Sequence, residues 1–230
     1  MNKRLLTFLC LLGSLASLYA QSFRIEADLV SHYMWRGINC GGLSLQPSLT
    51  FEVKGFSITA WGSTEFRTEF NEVDLSVQYE YKGLYIRLLD VFCQENDKQF
   101  QYFNFKSKET NHSVELGVRY RICDKVPLTF AWYTNLFGKD YLDDGKRAWS
   151  TYIEASYPFD VKFMEIKPEV GITPWNGKYA RQFNVVNIGV QGLKSFRITD
   201  KVHIPIWVKF TVNPYREKAY VSFGTGVRIH

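Results

Sequence analysis

Residues 72–82 alternate without a fault. Val73, Leu75, Val77, Tyr79 and Tyr81 are apolar or aromatic, and Glu72, Asp74, Ser76, Gln78 and Glu80 stand between them. A period of two belongs to a strand with one greasy and one polar face. The same alternation runs through 45–53, where Leu45, Leu49, Phe51 and Val53 oppose Gln46, Ser48, Thr50 and Glu52, and it recurs in 113–122, 163–173, 202–213 and 219–229. The pattern predicts about twelve strands: 24–36, 45–53, 56–66, 72–82, 84–94, 112–122, 127–137, 149–159, 163–173, 183–193, 202–213 and 219–229. Each is near the 9–11 residues that a tilted transmembrane strand needs. Some positions conflict with the pattern. Asp90 falls on the apolar face of 84–94, which predicts a bulge or shifted register there. Pro168 and Pro205 each remove a ladder hydrogen bond from a strand interior.

Connection lengths alternate as well. Lys54-Gly55 and Lys82-Gly83 are tight turns, 123–126 and 160–162 nearly so, and 194–201 is the longer member of that series. The intervening connections, 37–44, 67–71, 95–111, 138–148, 174–182 and 214–218, are mostly longer. A meander with turns at one end and loops at the other has this rhythm. Outer-membrane barrels show it as short periplasmic turns and longer extracellular loops. Aromatic residues are expected at both rims. Tyr33 and Trp35 are placed facing outward at the loop end, Trp149 and Trp175 near it, and Phe51, Phe56, Tyr81, Tyr157 and Phe159 near the turn end. A soluble barrel would turn its apolar face inward. Alternation alone does not separate the two cases; the turn–loop asymmetry and the aromatic rims favour the membrane.

The first twenty residues point the same way. Lys3 and Arg4 precede an apolar run from Leu5 to Leu12 and then small residues up to Ala20. That is a signal peptide, 1–20, too short in its apolar part to cross a bilayer. The barrel then occupies 21–230. Composition adds that the chain folds: 46% of residues are hydrophobic and 17% aromatic, a mixture that suits strands. The formal charge of +5 includes Lys3 and Arg4, so the exported chain is too weakly basic for nucleic acid.

Inward positions carry both signs of charge. The pore-lining candidates are Arg36, Trp61, Glu65, Asp74, Arg87, Arg119, Glu154, Lys167, Glu169, Trp207 and Lys209, with Glu72 and Glu115 among the other inward acids. They define either a selective polar pore or a lumen bridged by ion pairs. About eight strands are filled by side chains and 16–18 leave a wide channel, so twelve leaves room for a narrow one. Arg36 and Gly37 are expected at the pore mouth. There Arg36 meets solute or loop, or pairs with a rim carboxylate while Gly37 frees a turn. Trp61 and Trp207 narrow the path, stack on a sugar-like solute, or pack as a partial plug. Loop 95–111 is the segment expected to fold into the mouth.

Cys40 and Cys93 fall near the loop end, where a disulfide could form in an oxidising compartment, and Cys123 falls in a turn. No Cys or His spacing suggests a metal. Asp140, Asp143, Asp144 and Gly145 read as a turn, without the EF-hand spacing. No nucleophile-elbow motif occurs among the serines. No catalytic residue, metal or cofactor is therefore expected.

The opening segment reads Ser31-His32-Tyr33-Met34-Trp35-Arg36-Gly37, then Leu45-Gln46-Pro47 and Gly55-Phe56-Ser57-Ile58-Thr59-Ala60-Trp61-Gly62-Ser63. It resembles the TorF-like porin group of Gram-negative outer membranes. Segments 148–154 and 183–188 look like a related branch of uncharacterised barrels. The resemblance covers 23–229 and implies a porin-type barrel inserted by the assembly machinery. Such barrels commonly end in an aromatic residue, whereas this chain reads Val227-Arg228-Ile229-His230.

The resulting expectation is an all-β, antiparallel, up-and-down transmembrane barrel. It sits in outer-membrane lipid and passes a small polar solute without catalysis. The alternative is a structural or ligand-binding barrel without conductance.

Overall fold

The computed structural model describes residues 21–68, 70–94 and 101–230; the signal-peptide reading of 1–20 and the first part of loop 95–111 lie outside them. Among the described residues there are fifteen strands: β1 (Gln21–Val30), β2 (Tyr33–Trp35), β3 (Ile38–Gly41), β4 (Ser44–Val53), β5 (Phe56–Glu65), β6 (Asn71–Tyr81), β7 (Leu84–Gln94), β8 (His112–Arg121), β9 (Thr129–Gly138), β10 (Thr151–Ser156), β11 (Phe159–Val161), β12 (Met164–Thr173), β13 (Asn184–Arg197), β14 (Val202–Asn213) and β15 (Lys218–Ile229). β10 and β11 both pair with β12 and form one interrupted barrel strand. Each barrel strand lies antiparallel to its sequence neighbour, and β1 closes on β15. The result is a closed barrel of 12 strands.

Exposure is inverted relative to a soluble protein. Leu75, Val77, Leu88, Val190, Val208 and Phe223 are exposed, while Glu72, Asp74, Glu115, Glu169, Asn187 and Thr211 are buried. Polar groups therefore line the inside and apolar ones cover the outside, as lipid demands. Aromatic residues sit exposed at both rims: Phe56, Tyr81, Tyr157 and Phe159 at the turn end, Trp149 and Trp175 at the loop end.

Lys54 and Gly55 have φ of 50° and 77°, and Lys82 and Gly83 have 48° and 81°. Positive φ at both central residues is the tight hairpin turn whose twist matches its strands. Each in-strand proline coincides with a gap in a ladder. Pairing between β14 and β15 skips 204–205 around Pro205. Pairing of β10 and β11 with β12 skips 167–168, where Pro168 faces the break between the two short strands. β4 and β5 skip 46–47 at Pro47.

Asp90 does not sit in a bulge. β7 pairs continuously with β6 and β8 through it, and Asp90 stands on the outer face opposite Leu75 and Val114. The charge is answered locally: His112 Nδ1 lies 2.9 Å from its carboxylate, and His112 Nε2 lies 2.6 Å from the Tyr102 carbonyl. Tyr102 and Phe105 pack on Phe92 and His112 at ring separations of 4.6–5.0 Å. Phe92 pairs with Val73 and faces outward with it. The described part of loop 95–111 thus covers the outer wall instead of folding into the mouth. Its Ser107 meets Tyr141, and Arg147 donates to both hydroxyls at 3.0 and 2.9 Å. These bonds hold the Tyr141 phenol below its ordinary pKa, the Ser107 bond first.

Candidate pore lumen and constriction

The first barrel strand ends earlier than the alternation predicts. At Ser31 the chain leaves the wall, and its backbone N–H donates to Phe223 O at 2.9 Å while its hydroxyl accepts from Phe223 N at 3.0 Å. Those bonds satisfy backbone groups that the departing strand would otherwise strand. The chain rejoins at Leu43, whose carbonyl accepts from Phe66 N at 3.0 Å. Between these points β2 and β3 form a hairpin directed into the barrel. Its tip, Arg36-Gly37, has φ of 51° and 78°, the same turn geometry as Lys54-Gly55 and Lys82-Gly83.

The hairpin crosses the lumen. Near its base, the Tyr33 hydroxyl donates to Glu72 at 2.9 Å and its ring packs 5.5 Å from Trp61. At the tip, Arg36 donates to both Glu115 oxygens, at 2.5 and 2.7 Å, and to Tyr179 Oη at 2.7 Å. Its guanidinium carbon lies 3.9 Å from the Tyr133 ring centroid and 5.1 Å from that of Tyr152. A planar, weakly hydrated cation suits such a fork-and-stack site. A Cβ on Gly37 would stand 2.1 Å from the Val186 carbonyl, and Gly37 O accepts from Asn213 Nδ2 at 3.1 Å. The tip therefore touches β8, β9, β10, β13 and β14. Tyr33, Trp35 and Arg36 lie inside the barrel. The outward placement of Tyr33 and Trp35 and the mouth position of Arg36 are corrected accordingly.

Most charged candidates are engaged in two clusters. Arg87 Nη2 lies 3.5 Å from Glu115, so Arg36 and Arg87 share that carboxylate. On the other side Lys209 donates to Glu169 at 2.6 Å, and Lys167 stands 3.6 Å from the same group. Asn187 links Glu169 to Tyr152, whose hydroxyl donates to Glu154 at 2.7 Å. The remaining candidates are spread out. Arg119, toward the turn end, lies 3.9 Å from Glu80 and 4.2 Å from the Tyr85 ring. Glu65 abuts Gly42 at the hairpin's base. Trp207 packs on Gly224, where a Cβ would meet its ring at 2.6 Å. Trp61 and Asp74 line one cavity with Arg87.

Space remains beside the hairpin. A cavity of about 290 Å³ lies between it and β5–β7, and one of about 230 Å³ toward the loop end is lined by Cys40, Cys93, Glu72 and Lys178 among others. A third, about 200 Å³, lies toward β13–β15 and includes His32, Trp207 and Lys209. Cys40 and Cys93 share a cavity as free thiols, and Cys123 is free and exposed. Among the described residues no cluster of His, Cys, Asp or Glu could hold a metal. Asp140 serves a turn, accepting from Ser150 N at 2.9 Å and from its hydroxyl at 2.5 Å.

Fold and lumen define the class: a closed β-barrel with an apolar outer wall and a polar interior, the build of a membrane-spanning barrel. No family model and no curated protein matches the chain. Among solved structures it is similar to the KdgM porin, at 10% identity, with 92% of this chain and 99% of that one covered and a TM-score of 0.48. The NanC porin gives 12% identity, 91% and 100% coverage and 0.46. The COG4313 outer membrane channel from Pseudomonas putida F1 gives 9%, 92% and 95%, and 0.42. Likeness at this level carries neither a solute nor a site residue across.

Proposed function

We propose that the protein is a small porin-like channel passing a polar solute passively, with the β2–β3 hairpin as its constriction. It would be exported by the 1–20 leader and inserted by the barrel-assembly machinery, in keeping with the TorF-like resemblance. The observation that carries this reading is a polar lumen that keeps cavities of about 290 and 200 Å³ on the two sides of the hairpin. A dedicated plug packs to interior density and leaves few voids of that size. Side chains on twelve strands leave a narrow path, and a hairpin across it sets the bore.

The second reading, a structural or ligand-binding barrel, draws on the clamp itself. Arg36 on Glu115 and Gly37 against Val186 fix the tip firmly. Planar-bilayer recording decides between the two: stepwise ion conductance supports the channel, and silence at verified insertion supports the closed barrel.

A further inference from the structure

The cavity between the hairpin and β5–β7 combines aromatic and polar surface in an uncommon way. Tyr33, Trp35 and Trp61 supply rings, and Asp74, Gln78 and Arg87 supply polar groups. Asp74 is only 7% exposed, and its Oδ1 has no hydrogen-bond partner among the described residues. Arg87 Nε in the same cavity is buried and likewise without an acceptor. A buried polar group left unmatched is costly, so each marks a place where a partner fits.

The two orphans have opposite character. Oδ1 needs a donor and Nε needs an acceptor. An organic ammonium offers only donors, and Arg87 would repel it. A carboxylate or phosphate offers only acceptors and leaves Asp74 Oδ1 without a donor. A hydroxyl does both. The aromatic walls add flat apolar surface of the kind that covers a sugar ring's C–H face. Building on the channel reading, we propose that this cavity is a binding subsite for one ring of a neutral sugar. Trp61 and Tyr33 form the stacking wall, and Asp74 and Arg87 meet its hydroxyls. The solute class is then an uncharged carbohydrate, held briefly beside the constriction as it passes.

The test is equilibrium dialysis of the full barrel, in a detergent without a sugar headgroup, against labelled glucose, glucuronate and methylammonium. Saturable glucose binding is expected, with glucuronate and methylammonium weaker. Trp61→Ala and Asp74→Ala should each weaken glucose by roughly three- to tenfold, the worth of one stacking or hydrogen-bonding contact. Trp132→Ala on the lipid face should leave it unchanged. Asp74→Asn, which keeps an acceptor, should retain most binding, and Trp61→Phe covers the case in which Trp61→Ala fails to fold. No saturable glucose binding, binding indifferent to Trp61 and Asp74, or a preference for either charged probe overturns the subsite. Conductance of the same preparation reports separately: a conducting barrel without glucose binding refutes the subsite alone, and glucose binding by a silent barrel supports it while refuting the channel.

Discussion

The Arg36 guanidinium grips Glu115 with two parallel hydrogen bonds, at 2.5 and 2.7 Å, and so ties a hairpin that starts between β1 and β4 to β8 across the lumen. Both side chains are nearly sealed from solvent, at 7% and 4% exposure. A paired charge in that setting is costly to break from one side, because its partner is left buried.

Replacing Arg36 with Ala should destabilise the barrel by about 3 kcal/mol, the lower end for a broken buried pair. Arg87 at 3.5 Å retains part of the compensation for Glu115. The Arg36→Ala/Glu115→Ala double variant should cost less than the sum of the single ones, measured by unfolding from lipid. Strict additivity would show that the pair does not hold the hairpin.

Gly37→Val should undock the tip, since φ is 78° and a Cβ would stand 2.1 Å from Val186 O. The twelve-strand wall does not depend on that contact, so the variant should keep its heat-modifiable gel shift while the hairpin becomes cleavable by added protease. A hairpin as resistant as in the parent chain would contradict the docking.

Cysteine accessibility provides an independent readout. Cys123 is exposed in a turn, whereas Cys40 and Cys93 face a lumen cavity behind the hairpin. A maleimide should label Cys123 first, and labelling of Cys40 and Cys93 should accelerate in Gly37→Val. Equal rates at all three sites in the parent chain would argue against a docked hairpin.

The lipid face is testable by charge. Val77 and Val208 are exposed on the outer wall, and Arg at either should cost about 2–4 kcal/mol near the bilayer midplane. Arg at Ser76, which opens on the 290 Å³ cavity, should cost less. Equal losses would reverse the inside and outside of the barrel.

The wall of this barrel was legible because its rules are local. Period-two alternation, Lys-Gly turns and in-strand prolines each act within a few residues. The hairpin was hidden by the same rule. Leu29, Ser31, Tyr33 and Trp35 continue the alternation of β1 straight through the point where the chain leaves the wall. The missed signal was Arg36-Gly37, which repeats the basic-residue–glycine form of the two tight turns. Asp90 was flagged correctly as an exception but explained wrongly, because its partner His112 lies beyond a long loop, and the Tyr102 carbonyl that also holds that ring lies within it. The inward acids Glu72 and Glu115 had the right parity, yet the shortest bonds to them come from Tyr33 and Arg36 of the hairpin. Tyr133 and Tyr152 carried no local mark of their cation-stacking site, nor Tyr179 of its hydrogen bond from Arg36, because only closure of the barrel assembles them.

Single-channel recording of the parent barrel beside a variant with 33–41 replaced by a short Gly-Ser linker tests the central claim most directly. Small conductance steps are expected from the parent and clearly larger ones from the variant, because the hairpin crosses the lumen from its base beside β4 to Glu115 and Asn213. Equal conductance would place the constriction elsewhere, and silence in both would refute the channel.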